Sequence, residues 1–326
     1  MTASVGIAFT PFEERVEVIE RAAVLAEERG LDSVGVAEAM TLDAPIVLAR
    51  LAERTERIGL MSGVLSVWGR TPATLALTAA ELQRASGGRF VLGLGASTAP
   101  ITAGFHGQPW RAPLRKLRDT LVAVRTLLGG GRLPNAPDGV RPRRLGCPPP
   151  VPVPIALAAI AAPSIRLAGI FADRWIPFLL PPAAIDAGRD LMASVESADD
   201  RTAATTVTAS VPLALAPDRD GAARIAARWL LTYATKMGPL YPRALRGHGY
   251  HLELDAILEA NLDPHHARLP AAAERLAQDV LLYGTYDEGP QLCRAWLEHA
   301  DALSLVAPFG VPGEQVADTI EAISGL

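Results

Sequence analysis

The sequence predicts an α/β protein, a single (β/α)8 TIM barrel over residues 1–326 with a helical insertion near its C-terminal half. Three observations carry that reading. One unit, a short β-rich run followed by a loop and an amphipathic helix, repeats through the first half. The runs are apolar on both faces, as strands of a parallel sheet covered by helices must be. Counted along the whole chain they number about eight, which favours a closed barrel over an open doubly wound sheet.

The first unit is Val5–Phe9, "VGIAF", and a helix over Glu13–Arg29 in which Val16, Ile19, Ala23 and Ala26 share a face and Gly30 marks the end. The second strand is Asp32–Glu38, with a helix over Ala44–Arg54. The third, Arg57–Leu65, precedes a helix that Pro72 opens and that runs through Arg84. The fourth, Arg89–Gly95, leads to a helix from about Arg115 to Leu128. The pattern resumes at Pro154–Leu157, Ala172–Phe178, Thr206–Ala214 and Ala302–Ala307. Two stretches interrupt it. Gly129–Pro150 is dense in proline and glycine and reads as an exposed excursion. Asp220–Leu282 is a long helical region whose "WLLTYATKMGPLYPRALRGHGY" is rich in large side chains, an insertion over the barrel mouth or a subunit interface.

Of the 326 residues 49% are hydrophobic, 20% charged and 5% aromatic, a composition that excludes wholesale disorder. A formal net charge of −4 lacks the basic footprint of a nucleic-acid or anionic-membrane binder, so the expected partner is a small molecule. Cys147 and Cys293 are too few for a disulfide framework and lie at no ligand spacing, which predicts free thiols. The N-terminus reaches acidic residues before any leader-like apolar run, and the apolar stretch Val151–Ala162 is short and proline-broken. These features predict a soluble, cytoplasmic protein with no membrane span.

In a parallel barrel the site is built from the loops that follow the strands. The segment "GLGAS", Gly93–Ser97, either brings the backbone close to an anion or a polar ring edge or is a plain tight turn. It is not a dinucleotide fingerprint, which needs G-x-G-x-x-G entering a helix. His265 and His266 are adjacent, with no third ligand at metal spacing, so no metal is expected. No nucleophile elbow, phosphate-binding loop or Cys-x-x-Cys is present.

The block "GVLSVWGRTPATLALTAAELQRASGGRFVLGLGAS" resembles the centre of the bacterial luciferase-like flavin and deazaflavin oxidoreductases, especially their coenzyme F420-dependent branch. The matching features are Gly63-Val64, Arg70-Thr71-Pro72, Ser86–Arg89 and Gly93–Ser97; "PIALAAIAAPSIRLAGIFADRWIP" and "ADALSLVAPFGVPGEQVADTIEAI" agree. The resemblance implies a planar isoalloxazine or deazaflavin ring in the barrel mouth. It also implies a non-prolyl cis peptide at Gly63-Val64 behind that ring, contacts from Gly95, Ala96 and Ser97, and a homodimer formed through the early helices.

Two departures from the family pattern matter. The phosphate-side loop, often Gly-Ala-Gln-Gly-Pro, is here Ala158-Ala159-Ile160-Ala161-Ala162-Pro163; its N–H groups either face an anion or form an apolar turn. Several members place a histidine after the acidic residue that ends strand two, whereas this chain has Glu38-Ala39. Glu38 then binds the ring, donates a proton if burial raises its pKa, or is a solvated loop carboxylate. His106, in the loop after the fourth strand, is the other candidate proton donor, and Trp68 and Trp110 are candidate walls of the substrate pocket.

The function implied is an F420-dependent oxidoreductase that passes a hydride to or from a small organic substrate such as an imine or a conjugated alkene. A monooxygenase using reduced FMN is the alternative on the same fold. A non-catalytic flavin-binding homologue is the alternative from a different class.

Overall fold

A computed structural model describes residues 4–134, 136–196, 204–261, 263 and 266–325. The first half of the chain runs β1 (Ser4–Phe9), α1 (Val16–Glu28), β2 (Ser33–Val36), α2 (Ala44–Arg54), β3 (Gly59–Ser62), β4 (Leu65–Ser66), α3 (Pro72–Ala85), β5 (Phe90–Gly95), α4 (Ala99–Gly104) and α5 (Pro113–Leu128). It continues through β6 (Ile155–Ala158), α6 (Ala162–Phe171), β7 (Arg174–Ile176), α7 (Pro182–Glu196), β8 (Thr206–Ala216), α8 (Arg219–Thr235), α9 (Leu240–Gly247) and α10 (His251–Ala260). The last elements are α11 (Glu274–Val280), β9 (Leu282–Thr285), α12 (Gly289–Leu297), β10 (Ala302–Val306) and α13 (Gly313–Ile323).

Local chemistry sets several of these boundaries. Asp43 accepts the Ile46 N–H at 3.3 Å and Thr71 accepts the Thr74 N–H at 3.2 Å, so α2 and α3 start at capped turns, with prolines in the first turn of each. Helix α1 buries Val18, Ile19, Ala22, Ala23 and Ala26, a stripe at three- and four-residue spacing that faces the sheet.

The strands close into the predicted ring. All pairings are parallel, and the order β1-β2-β3-β5-β6-β7-β8-β10 returns to β1, where Ser4 stands opposite Ala302 and Ala8 opposite Val306. Eight strands therefore form a TIM barrel with the helices outside. Strand β8 is longer than its neighbours: Thr208–Pro212 pair with β10, and Leu213–Ala216 run on to pair with β9. The core is continuous between ring and helices. Trp175 is fully buried, donates Nε1–H to the Ala159 carbonyl at 2.8 Å, and lies where a side chain on Gly188 of α7 would stand 2.1 Å from its ring.

Three short elements go beyond the sequence reading: β4, α4 and β9. The Asp220–Leu282 region is helical as expected through α8 to α11, but Leu282 opens β9 instead of ending a helix. Among the described residues Gly129–Pro150 forms neither helix nor strand, and it is pinned by buried Leu145, which packs with Ala76, Ala80 and Leu127 on the backs of α3 and α5.

Candidate active site

The mouth of the ring is shaped by an irregularity where β3 gives way to β4. Met61 stands opposite Val91 and Leu65 opposite Leu94, so this segment uses one residue more than β5 between the same two rungs, a bulge. Across the gap the buried Ser62 hydroxyl accepts from the Gly93 N–H at 2.8 Å and donates to the Gly93 carbonyl at 3.0 Å, replacing the ladder that the bulge interrupts. The Gly63-Val64 peptide inside the bulge is cis. Gly93 is obligatory for this arrangement, since a Cβ there would stand 1.8 Å from the Ser62 carbonyl oxygen.

Above the bulge lies a cavity of about 450 Å³ at the C-terminal ends of the strands, within the ordinary range for a cofactor and a small substrate. Its floor is the cluster Met61, Val91, Ala156 and Ile176 inside the ring, on which Val64 and Ala158 pack. Gly63, Val64, Gly95, Ala96, Ser97, Ala158, Ala159, Ile160 and Ala161 all line it, as do Glu38 and Trp110. No lysine, arginine or histidine lines it among the described residues.

His106 and Trp68 stand outside that lining. His106 packs against Phe105, ring centroids 5.2 Å apart, and sits so close to Gly69 that a Cβ there would be 2.9 Å from Cε1. Trp68 donates Nε1–H to the Ala96 carbonyl at 2.8 Å and stacks at 5.6 Å on Trp110, with Lys116 Nζ 5.7 Å from its ring. Trp68 thus braces Trp110, and Trp110 meets the cavity. Glu38 reaches the cavity wall while one oxygen accepts from Arg70 and the other from the Ala44 N–H at 3.1 Å; Arg70 also donates to Asp43 at 2.8 Å. Both oxygens of the Glu38 carboxylate are thus engaged as acceptors. His266 pairs with Asp263 at 3.0 Å and His265 lies outside the described residues; no cluster of three metal-ligating side chains occurs among those described.

The family model for luciferase-like monooxygenases matches residues 4–304. The chain belongs to the luciferase-like monooxygenase family. Within this luciferase-like protein, 323 aligned residues are 27% identical to a Mycobacterium tuberculosis protein named as a candidate coenzyme F420-dependent oxidoreductase, covering 90% of each chain. A further match is 32% identical over 137 residues to the 5,10-methylenetetrahydromethanopterin reductase of Methanolobus tindarius, 42% of this chain and 41% of that one. Among solved structures, an F420-dependent secondary alcohol dehydrogenase in complex with an F420-acetone adduct superposes with a TM-score of 0.79 at 16% identity, covering 100% of both chains. An FMN-bound type II Baeyer-Villiger monooxygenase from Pseudomonas putida superposes at 0.67 and 19% identity, covering 99% of this chain and 97% of that one. At these identities the superpositions establish the fold.

The luciferase-like motif residues divide between mouth and base. Arg70-Thr71-Pro72 serves the mouth: Arg70 holds Glu38, Thr71 caps α3 and Pro72 opens it. Arg89 of the Ser-Gly-Gly-Arg turn works at the other end of the strands, donating to the carbonyls of Ala52, Thr55, Ile58 and Ser86. Sequence reasoning did not assign Tyr233, Met237, Leu240 and Tyr241 of the insertion, or Ser210 and Ser304, to the site, yet all line the cavity of this luciferase-like chain, as does Phe178 from the expected loop after its strand. The one available signal was the aromatic density of Trp229–Tyr250.

Proposed function

We propose that this luciferase-like protein is an oxidoreductase that uses coenzyme F420 to exchange a hydride with a small uncharged organic substrate. The observation that carries the reading is the bare floor of the cavity. A Cβ on Gly63 would meet nothing within 4 Å, and the surrounding positions Gly95, Ala158, Ser210 and Ser304 carry at most a methyl or hydroxymethyl group. Such a slot suits a flat tricycle lying face-on, and Met61, Val64 and Ile176 offer it an apolar bed. The likeness to the mycobacterial protein named for F420 supports the deazaflavin over other planar cofactors.

When bound, the deazaflavin supplies the hydride chemistry. The chain's own residues hold its ring through Gly63, Val64, Gly95 and Ala158, and apolar walls exclude water from the space above it. On the Ala158–Pro163 loop, whose Ala161 carbonyl accepts from the Ser164 hydroxyl at 2.8 Å, the backbone N–H groups at the start of α6 are what a phosphate would meet. Glu38, tied to Arg70, fixes the polar rim beside β2.

The FMN-dependent monooxygenase is the second reading, favoured by a 31% identity over 175 residues to 4-hydroxyprotoasukamycin monooxygenase of a Streptomyces nodosus subspecies. Fluorescence titration of the purified protein with F420 and with FMN, in oxidised and reduced forms, separates the two. Binding of the deazaflavin with at least tenfold preference is expected. Binding of FMN alone would transfer the assignment to the monooxygenase.

A further inference from the structure

The two halves of the cavity rim differ in chemistry. In the ring order, β2, β3, β5 and β6 form one arc and β7, β8, β10 and β1 the other. The first arc contributes Gly63, Val64, Gly95 and Ala158 of the proposed ring slot, which Ser210 and Ser304 of the second border. The second is roofed by aromatic side chains: Phe178 follows β7, and Tyr233 and Tyr241 come from α8 and α9, with Phe12 and Phe309 standing behind them.

These rings fix one another. Tyr233 lies 4.9 Å from Phe178 and 6.2 Å from Phe12, and Tyr241 meets Tyr233 edge-on at 5.0 Å and 86°. Both tyrosines line the cavity, Tyr233 is only 6% exposed, and neither phenol has a hydrogen-bond partner among the described residues. Tyr250, outside the cavity, shows the contrast: its hydroxyl donates to Asp279 at 2.8 Å. Neither hydroxyl is among the sealed, unpartnered polar atoms of the fold, so both open onto the cavity with their donor hydrogens free for a ligand oxygen.

The rest of the lining restricts what that ligand is. With no cationic side chain present, a carboxylate or phosphate on the substrate would find no counter-ion, and the single carboxylate, Glu38, is already taken by Arg70. Two O–H donors match the two lone pairs of one sp² oxygen.

We propose, resting on the oxidoreductase reading above, that Tyr233 and Tyr241 select an uncharged, largely apolar carbonyl compound, a ketone or an α,β-unsaturated ketone, by donating both phenol hydrogens to its oxygen. The pair orients the carbonyl toward the ring slot on the opposite arc. Burial raises the Tyr241 phenol to about 12 and the Tyr233 phenol well above its ordinary range, which keeps both as neutral donors near neutral pH.

The test uses 2-acetylnaphthalene as the ketone probe, 2-ethylnaphthalene as its counterpart without the oxygen, and 2-naphthoate as the anion. Dissociation constants are measured by fluorescence with and without F420 in the unaltered protein, Tyr233→Phe, Tyr241→Phe and the double variant. Each single substitution is expected to weaken the ketone about three- to tenfold, the loss of one hydrogen bond, and to leave 2-ethylnaphthalene unchanged. The carbonyl stretch of the bound, isotope-labelled ketone should shift to lower frequency and return toward its apolar-solvent position in the double variant. Equal losses for ketone and hydrocarbon, an unshifted stretch, tighter binding of the naphthoate, or no ketone binding would each overturn the proposal. Unchanged melting temperatures show that the variants are folded. The F420 titration of the same samples reports on the oxidoreductase reading separately.

Discussion

Arg70 joins the start of α3 to the end of β2 by holding the carboxylate of Glu38, and both side chains are largely buried, at 15% and 9% exposure. Removing one partner of such a pair leaves the other charge uncompensated, whereas removing both does not. Arg70→Met is expected to destabilise the protein by about 2–3 kcal/mol, discounted for partial exposure and for the remaining link to solvent. The double variant with Glu38→Gln should recover at least half of that loss. Urea unfolding of the four proteins in a double-mutant cycle gives the coupling directly.

Two glycines near the bulge separate folding from binding. Gly93→Ala drives a methyl group into the Ser62 carbonyl, a contact of 1.8 Å, and should cost about 3 kcal/mol or more, visible as a large fall in melting temperature. Gly63→Ala meets no protein atom within 4 Å. It should leave the melting temperature within a degree or two while weakening F420 about tenfold by filling the slot.

The thiols should react as two separate classes. Cys147 is exposed, with Arg84 Nη2 2.9 Å from its sulfur, whereas Cys293 is buried in α12 and its thiol is pushed up to about 12 by burial. A disulfide reagent at pH 8 is expected to titrate one thiol promptly and the second at least ~10³-fold more slowly in the native protein. Both should react at once in guanidinium. Two fast thiols in the native state would contradict the packing of α12.

Alkaline titration reads the state of the aromatic roof. Desolvation holds the folded-state Tyr241 phenol at about 12, and that of Tyr233 well above its ordinary value of 10.0, while in the unfolded chain both ionise near that ordinary value. The neutral forms are favoured by folding, so this contribution to stability is fully present below about pH 10 and is lost as pH rises through about 12. Ultraviolet difference spectra should show Tyr233, Tyr241 and Tyr250, the last also held up by burial and its bond to Asp279, staying protonated past pH 11, and denaturant midpoints should fall over that interval. Tyr233→Phe/Tyr241→Phe should flatten the fall.

The ring was legible in the sequence because each of its strands is flanked by a helix with a clear period and by turn residues. The mouth was legible where backbone chemistry leaves a mark, as at Gly63-Val64 and Gly93–Ser97. Strand β9 was not, because four residues directly after α11 extend an apolar helical pattern without punctuation. The partners of Glu38 were hidden for a different reason. Arg70 lies 32 positions away, and only the closing of β2 against β3 brings the two together. Tyr233 and Tyr241 carry no motif at all; the return of α8 across the rim puts them in the cavity.

Because β1 pairs with β10, the ring's final seam joins Ser4–Ala8 to Ala302–Val306. During translation β1 must wait, with an unsatisfied edge, until residues 302–306 have left the ribosome. Ribosome-stalled chains ending before residue 302 would expose that edge to chaperones or to one another, because the ring has no partner for β1 on that side until β10 is made.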